Sequence, residues 1–147
     1  SALDTSPSLS PDGTQVAFTS NRGGGPQIYI TGINGGELRR VSFTGSNYCT
    51  SPAWSPKGDK IAYSCLSGGN QLFISSLDGS KPIQMTFGGN NEDPSWSPDG
   101  RYLIFASDFG RVGTRTLAVL PIATGTPKRI DPSRTADSSP AWSPRLE

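Results

Sequence analysis

Histidine is absent from the 147-residue sequence, and its absence excludes several kinds of active site. Ser-His-Asp and Cys-His arrangements both use an imidazole as the base, and imidazole is also a common zinc ligand. The sequence has no Gly-x-Ser-x-Gly elbow and no EF-hand-like alternation of acidic residues. A paired-carboxylate hydrolase through Glu92 with Asp93 or Asp137 stays formally possible, but nothing directs these residues to that role. We therefore predict no catalytic residues, no metal site and no cofactor.

An excess of charge of one sign is also missing. The 13 basic residues stand against 12 acidic ones, and the formal net charge is +1. A chain this close to neutrality has no long-range field that would recruit nucleic acid or anionic lipid. No apolar run approaches the roughly 20 residues that a membrane-spanning helix needs. We predict no nucleic-acid partner and no direct insertion into a membrane.

Glycine and proline, by contrast, are abundant, with 18 and 13 residues, as expected of a chain that turns often. Many of them belong to one motif, Pro-x-Trp-Ser-Pro-x-Gly or a close variant, which occurs four times. The copies begin at Pro7, Pro52, Pro94 and Pro140, so that successive copies are 45, 42 and 46 residues apart. A period of about 40–50 residues is typical of β-propeller blades and not of helical repeats.

Each of the first three copies begins a unit of four short predicted strands joined by hairpin-type turns. The second strands are predicted over residues 15–20, 60–65 and 102–107. The strands are rich in Val, Ile, Phe and Tyr, and no window has apolar residues at helical spacing. A β-sandwich could hold as many strands, but it gives no reason for one turn motif to recur at a fixed period. We predict an all-β partial β-propeller over residues 1–147, with three four-stranded antiparallel blades near residues 7–43, 52–87 and 94–131 and an orphan strand at 140–144.

Three blades cannot close a ring, and the last copy of the motif is a first strand without its blade. In an intact propeller such a strand completes a blade begun elsewhere in the chain and removes open sheet edges. We therefore expect the sequence to be a fragment of a longer protein. The alternative is self-association, in which two copies form a ring with one first strand displaced.

The tryptophans of the motif occupy equivalent positions in successive repeats, which predicts that they pack between neighbouring blades. In the first copy Leu9 stands at this position. Asp12 and Asp99, in the turns that follow, are expected to accept hydrogen bonds within those turns. The three tryptophans are Trp54, Trp96 and Trp142.

The segments that enter each first strand are predicted to ring one mouth of the central channel. These are residues 46–51, 90–93 and 136–139. Their carboxylate and amide groups could bind a partner's backbone or basic side chains, and an exposed tyrosine is a favoured interface anchor. The alternative is that the acidic residues are only solvated loop charges. The candidate partner-binding residues are Tyr48, Asn90, Asn91, Glu92, Asp93 and Asp137.

The sequence contains only two cysteines, Cys49 and Cys65, which permit one disulfide without requiring it. With a turn at residues 56–59, antiparallel pairing of the first two strands of that repeat places the cysteines near one another across the strands. A disulfide would suit an oxidising compartment. Directly paired strands often present awkward geometry for such a bond, so two free thiols remain an open alternative.

The repeat resembles that of the TolB family, the periplasmic propeller proteins of the bacterial Tol–Pal system. The similar features are Pro-x-Trp-Ser-Pro-Asp-Gly, Gln-Ile-Tyr-Ile at residues 27–30, Asn-Gly-Gly at 34–36 and the ending Ala-Trp-Ser-Pro-Arg-Leu at 141–146. The third repeat departs from the pattern, since residues 111–115 stand where Gln-Ile-Tyr is expected. We also expect the outer part of that blade to be irregular, because Pro121 falls in or just after its third strand.

The resemblance implies a non-enzymatic, periplasmic protein that supports protein transport, cell division and the integrity of the outer membrane. It implies binding to Pal, the peptidoglycan-associated lipoprotein, through loops at the channel mouth, with other Tol proteins as further partners. The alternative function is that of a propeller lid that gates substrate entry in a serine peptidase of the prolyl-oligopeptidase type.

Overall fold

A computed structural model describes residues 4–111 and 113–130, and this part of the chain consists of strands and turns without a helix. Twelve strands form three antiparallel sheets of four, each in chain order. The predicted all-β fold of four-stranded propeller blades is thereby confirmed, while residues 140–144 lie outside the described residues. The strands are β1 (Asp4–Leu9), β2 (Gln15–Ser20), β3 (Gln27–Gly32), β4 (Leu38–Arg40), β5 (Cys49–Trp54), β6 (Lys60–Leu66), β7 (Asn70–Ser76), β8 (Ile83–Gln84), β9 (Asn91–Trp96), β10 (Tyr102–Ser107), β11 (Thr116–Pro121) and β12 (Lys128–Arg129).

The three sheets, called blades 1 to 3, begin with β1, β5 and β9. The turn between the first two strands of each blade is fixed by the Ser-Pro-x-Gly part of the motif. In blade 1, Ser10 Oγ donates to Asp12 Oδ1 at 2.7 Å and accepts the amide of Gln15 at 3.0 Å. In blade 3, Ser97 Oγ donates to Asp99 in the same way, at 2.6 Å. The predicted turn hydrogen bonds at both aspartates are confirmed.

Asp12 gives the first turn a dependence on pH. The hydrogen bond from Ser10 Oγ, followed by those from the amide and hydroxyl of Thr14, lowers the pKa of Asp12 from 3.8 to about 2. Because the folded-state pKa is the lower one, this stabilisation is complete above pH ~4 and is lost as the pH falls through the folded value. We expect the thermal midpoint of the chain to fall over this range, and less steeply in Asp12→Asn, which keeps the oxygen acceptor. If the thermal midpoint fell equally steeply with decreasing pH in the parent and in Asp12→Asn, this role of Asp12 would be contradicted.

The hydrophobic core lies between the blades. One cluster joins Ile28 and Ile30 of blade 1 to Tyr63 and other residues of blade 2, and a second joins blade 2 to blade 3. Trp54 belongs to the first cluster and Trp96 to the second, and each is 7% exposed. Packing between blades is therefore confirmed for these two tryptophans, whereas Trp142 lies outside the described residues.

The third blade is more regular than the sequence predicts. β11 pairs with β10 over six residues, and Pro121 forms the last pair, opposite Tyr102, so that the proline ends the strand without interrupting it. The prediction that residues 111–115 replace Gln-Ile-Tyr is also wrong. Thr116 lies opposite Ser107, as Gln27 lies opposite Ser20 in blade 1, so the segment before Thr116 only lengthens the preceding loop.

No helix within the described ranges has the length and apolar character needed to cross a membrane.

Candidate functional site

The first strand of each blade begins earlier than predicted and contains a β-bulge. In blade 2, Cys49 and Thr50 already pair with β6, and the register shifts between Thr50 and Ala53. Segments predicted as loops are therefore partly strand. The reason is the proline of the motif, which has no N–H for the ladder and is accommodated where the bulge leaves a residue unpaired.

The residue before each of these prolines has a left-handed backbone. Its φ is 54° at Ser6, 60° at Ser51 and 55° at Asp93. Non-glycine residues rarely adopt this conformation, and such strained positions concentrate at functional sites. The bulges of β5 and β9 therefore identify the entry to these two strands as the part of the fold to inspect for function.

A polar cleft of about 230 Å³ lies at this place, between blades 2 and 3. Three of the candidate residues from the sequence, Tyr48, Glu92 and Asp93, line it together. Asp137, a fourth candidate, lies outside the described residues. Tyr48 is 45% exposed at the rim. The lining consists of Tyr48, Thr50, Ser51, Ser64, Asn70, Glu92 and Asp93.

Glu92 is held from two sides. Asn70 Nδ2 donates to its Oε1 at 2.6 Å, and Arg115 Nη1 donates to its Oε2 at 2.8 Å. Arg115 Nη2 also lies 3.6 Å from Asp93 Oδ2, so that one guanidinium spans both carboxylates. Sequence reasoning did not select Arg115. The only signal was that it ends the segment that departs from the repeat.

The structure corrects the prediction that Asn91 contacts a partner. It is 4% exposed, and its amide group donates to Gly88 O at 2.9 Å and to Gln71 Oε1 at 3.1 Å. Its Oδ1 accepts the hydroxyl of Ser107 at 2.7 Å. Because these groups are used internally, Asn91 supports the cleft from behind and does not offer its side chain to a partner.

Asn90 is exposed, but its side chain is tied to the neighbouring loop. Its amide N and Nδ2 donate to Asp108 at 2.8 and 3.1 Å, and its Oδ1 accepts the amide of Asn70 at 3.0 Å. Burial raises the pKa of Asp108, but the hydrogen bonds from Asn90 and Gly110 outweigh it and hold that pKa below its usual value. The charged Asp108 therefore anchors the segment from which Glu92 projects.

A disulfide joins Cys49 to Cys65 directly across β5 and β6, with an S–S distance of 2.04 Å. Both cysteines are almost fully buried, and the hydroxyl of Thr44 lies within 3.7 Å of each sulfur. The bond fixes the start of β5, which carries Thr50 and Ser51 of the cleft lining and directly follows Tyr48.

The loop that carries Tyr48 rests on blade 1. The amide of Cys49 donates to Pro26 O at 2.8 Å, and Gln27 Nε2 donates to Ser46 O at 2.7 Å. Gly25 passes so close beneath this loop that a Cβ there would overlap the carbonyl of Asn47. The loop can occupy its position only because residue 25 has no side chain.

Gly25→Ala is therefore expected to displace the loop that carries Tyr48 and to destabilise the fold by about 1–3 kcal/mol, as overpacking does. Urea unfolding measures the loss of stability, and the NMR shifts of Tyr48 report the displacement. Gly88→Ala is the control, because a Cβ at Gly88 would meet nothing within 4 Å. Equal stabilities and unchanged Tyr48 shifts in the two variants would contradict the steric argument.

Comparison with known proteins places this geometry in a family. Residues 1–146 match the family described as the TolB beta propeller domain. A TolB homolog from Chlorobium chlorochromatii is 42% identical over 133 residues, which are 90% of this chain and 29% of that protein. The Tol-Pal system protein TolB of Bordetella pertussis is 35% identical over 105 residues, 71% of this chain and 24% of that protein.

Solved structures agree with this. TolB from Acinetobacter baumannii superposes with a TM-score of 0.79 at 26% identity, covering 99% of this chain and 35% of that one. An acylaminoacyl peptidase from Pyrococcus horikoshii has a TM-score of 0.65 at 15% identity, covering 88% of this chain and 25% of that one, a likeness of fold alone. The chain thus spans between about a quarter and a third of the length of these TolB relatives. Because the family match extends over nearly the whole sequence, the chain belongs to the TolB β-propeller domain family.

Proposed function

We propose that the chain is a non-enzymatic, protein-binding part of a periplasmic propeller of the Tol–Pal system, and that it binds the lipoprotein Pal. The observation that carries the proposal is the polar cleft between blades 2 and 3. It unites Tyr48, Glu92 and Asp93 at a strained strand entry. The similarity to a Tol-Pal system protein supports the choice of partner, and the buried disulfide suits an oxidising compartment.

The chemistry of the cleft favours a protein partner. Its carboxylates and hydroxyls accept hydrogen bonds, while the exposed Tyr48 ring offers a rigid contact surface of the kind that dominates many interfaces. In the cell such binding would serve outer-membrane integrity and cell division. Other Tol proteins, and a second copy of the chain, are further partners on this proposal.

Titration with soluble Pal tests the proposal by isothermal calorimetry. We expect Tyr48→Ala and Glu92→Gln each to raise the dissociation constant about tenfold or more, as truncation of an interface anchor does. Glu37→Gln is the matched control, because Glu37 is an exposed carboxylate of blade 1, in the turn before β4, and does not line the cleft between blades 2 and 3. Pal binding that is unaffected by both cleft variants would rule out the cleft as the binding site.

A further inference from the structure

Arg115 and Asn70 occupy equivalent positions in successive blades. Each immediately precedes the third-strand residue that pairs with an equivalent position of the second strand, Thr116 opposite Ser107 and Gln71 opposite Cys65. Blade 1 has Pro26 at this position, which has no side-chain donor. The side-chain amide of Asn70, at the start of β7, and the guanidinium of Arg115, just before β11, therefore approach Glu92 from neighbouring blades.

The guanidinium of Arg115 offsets the repulsion between two carboxylates in the cleft. Glu92 and Asp93 are consecutive in sequence, their side chains are about one third exposed, and both carboxylates lie within 4 Å of one guanidinium, so their like charges repel. A guanidinium presents several N–H donors in a rigid plane, so it can hold two carboxylates in fixed directions, as an ammonium cannot. Each carboxylate oxygen accepts more than one hydrogen bond, so both retain acceptor capacity for a ligand.

We infer that Arg115 is a specificity-determining positioning residue. By bridging Glu92 and Asp93 it makes the cleft a preorganised pair of acceptors. The cleft then selects a partner loop that presents N–H donors, from its backbone or from a lysine or arginine. This inference rests on the proposed function and adds to it the chemistry that the partner must have. It also gives a role to the segment in which the third repeat departs from the pattern.

The test compares Arg115→Gln, Arg115→Lys and the control Arg111→Gln in titrations with soluble Pal. Arg111 is an exposed arginine of the same loop. We expect Arg115→Gln to weaken binding about tenfold, Arg115→Lys to restore part of the loss, and Arg111→Gln to change little. Combined with Glu92→Gln, Arg115→Gln is expected to add little further loss, because both act on one acceptor pair. Additive losses, or parental affinity in Arg115→Gln, would overturn the inference.

If the parent chain does not bind Pal at all, the proposed function fails and the positioning role is decided separately. The crystal structure of Arg115→Gln alone then decides it. If the side chains of Glu92 and Asp93 turn away from each other in this variant, the role of Arg115 is supported. If both carboxylates keep the positions that they have in the parent, the role is overturned.

A second inference concerns the turn between β3 and β4, at the opposite end of blade 1 from the loop that carries Tyr48. Asn34 is exposed there and is followed by Gly35, which has a φ of 89°. Of the six asparagines in the chain it alone precedes a glycine. Glycine has no side chain to hinder attack on the neighbouring amide. The equivalent position in blade 2 is an acid, Asp78, whose carboxylate accepts the amide and hydroxyl of Ser80.

We propose that Asn34 is a site of spontaneous deamidation. The backbone nitrogen of Gly35 attacks Cγ of Asn34 and expels ammonia, and water then opens the resulting succinimide to aspartate or isoaspartate. The Gly35 amide must first release Gly32 O, to which it donates at 2.9 Å. That opening is local, because β4 is only three residues long and residues 33–39 are exposed. Asp78 shows that the ordinary aspartate product fits this turn.

Peptide mapping by mass spectrometry after prolonged incubation at mildly alkaline pH tests this proposal. We expect acid and iso-acid products in the peptide that contains Asn34, and unchanged amides at the other five asparagines. Asn34→Gln should abolish the signal. The urea-unfolded chain gives the reference rate. An Asn34 that stays intact in the folded chain while it converts in the unfolded chain would overturn the proposal.

Discussion

Trp96→Ala is expected to lower the free energy of unfolding by about 3–5 kcal/mol, the range for removing a large aromatic side chain from a core. Trp96 is 7% exposed within the cluster that joins blade 2 to blade 3, and its indole Nε1 donates to Ala53 O at 2.8 Å. The substitution removes packing on both blades and leaves that carbonyl without its donor. Urea unfolding followed by circular dichroism measures the loss.

Two variants separate the contributions. Trp96→Phe keeps most of the apolar contact but removes the indole donor, so it should cost about 1–3 kcal/mol. Phe87→Ala removes an aromatic ring that is 77% exposed and should stay within about 0.5 kcal/mol of the parent. A Trp96→Ala variant as stable as Phe87→Ala would show that the blades do not depend on this contact.

The bounds of a strand were predicted best from the sequence where a turn sets its end. β2 and β10 have the predicted bounds, Gln15–Ser20 and Tyr102–Ser107, because Ser-Pro-x-Gly fixes where each begins and the apolar pattern fixes its length. The entries to β5 and β9 were missed. A residue before proline is normally expected to be extended, and nothing in local propensity signals the positive φ of Ser51 or Asp93.

The candidate site was predicted in part for a similar reason. Glu92 and Asp93 stand next to the repeated proline, so the repeat itself places them at the strand entry. Arg115 is 23 residues from Glu92 in sequence, and the pairing of β10 with β11 is what brings Arg115 close to Glu92. The prediction that Asn91 contacts a partner was wrong because its side chain is buried against Gln71 and Ser107, which come from two different blades.

Removal of the disulfide is expected to destabilise the chain by about 3 kcal/mol, the effect predicted for a bond that closes a loop of about 15 residues in the unfolded state. The bonded cysteines are 16 residues apart. Urea unfolding of the oxidised and the reduced chain measures the difference. The double variant Cys49→Ala/Cys65→Ala is the control, since a reductant should not change its midpoint. Equal midpoints for the oxidised and reduced parent would contradict the prediction.

The same bond should also control the cleft. Cys49 is the first residue of β5, between Tyr48 of the preceding loop and Thr50, so loss of the bond frees both neighbours. On the proposed function, the affinity for Pal should then fall along with stability. Cys49 is fully buried and Cys65 is 1% exposed, so a reductant can reach the sulfurs only when this end of the sheet opens. Reduction of the folded chain should therefore be slow, and Gly25→Ala should accelerate it, because that substitution displaces the loop above Cys49. If Gly25→Ala left the reduction rate unchanged, the loop that carries Tyr48 would not control the access of a reductant to the disulfide.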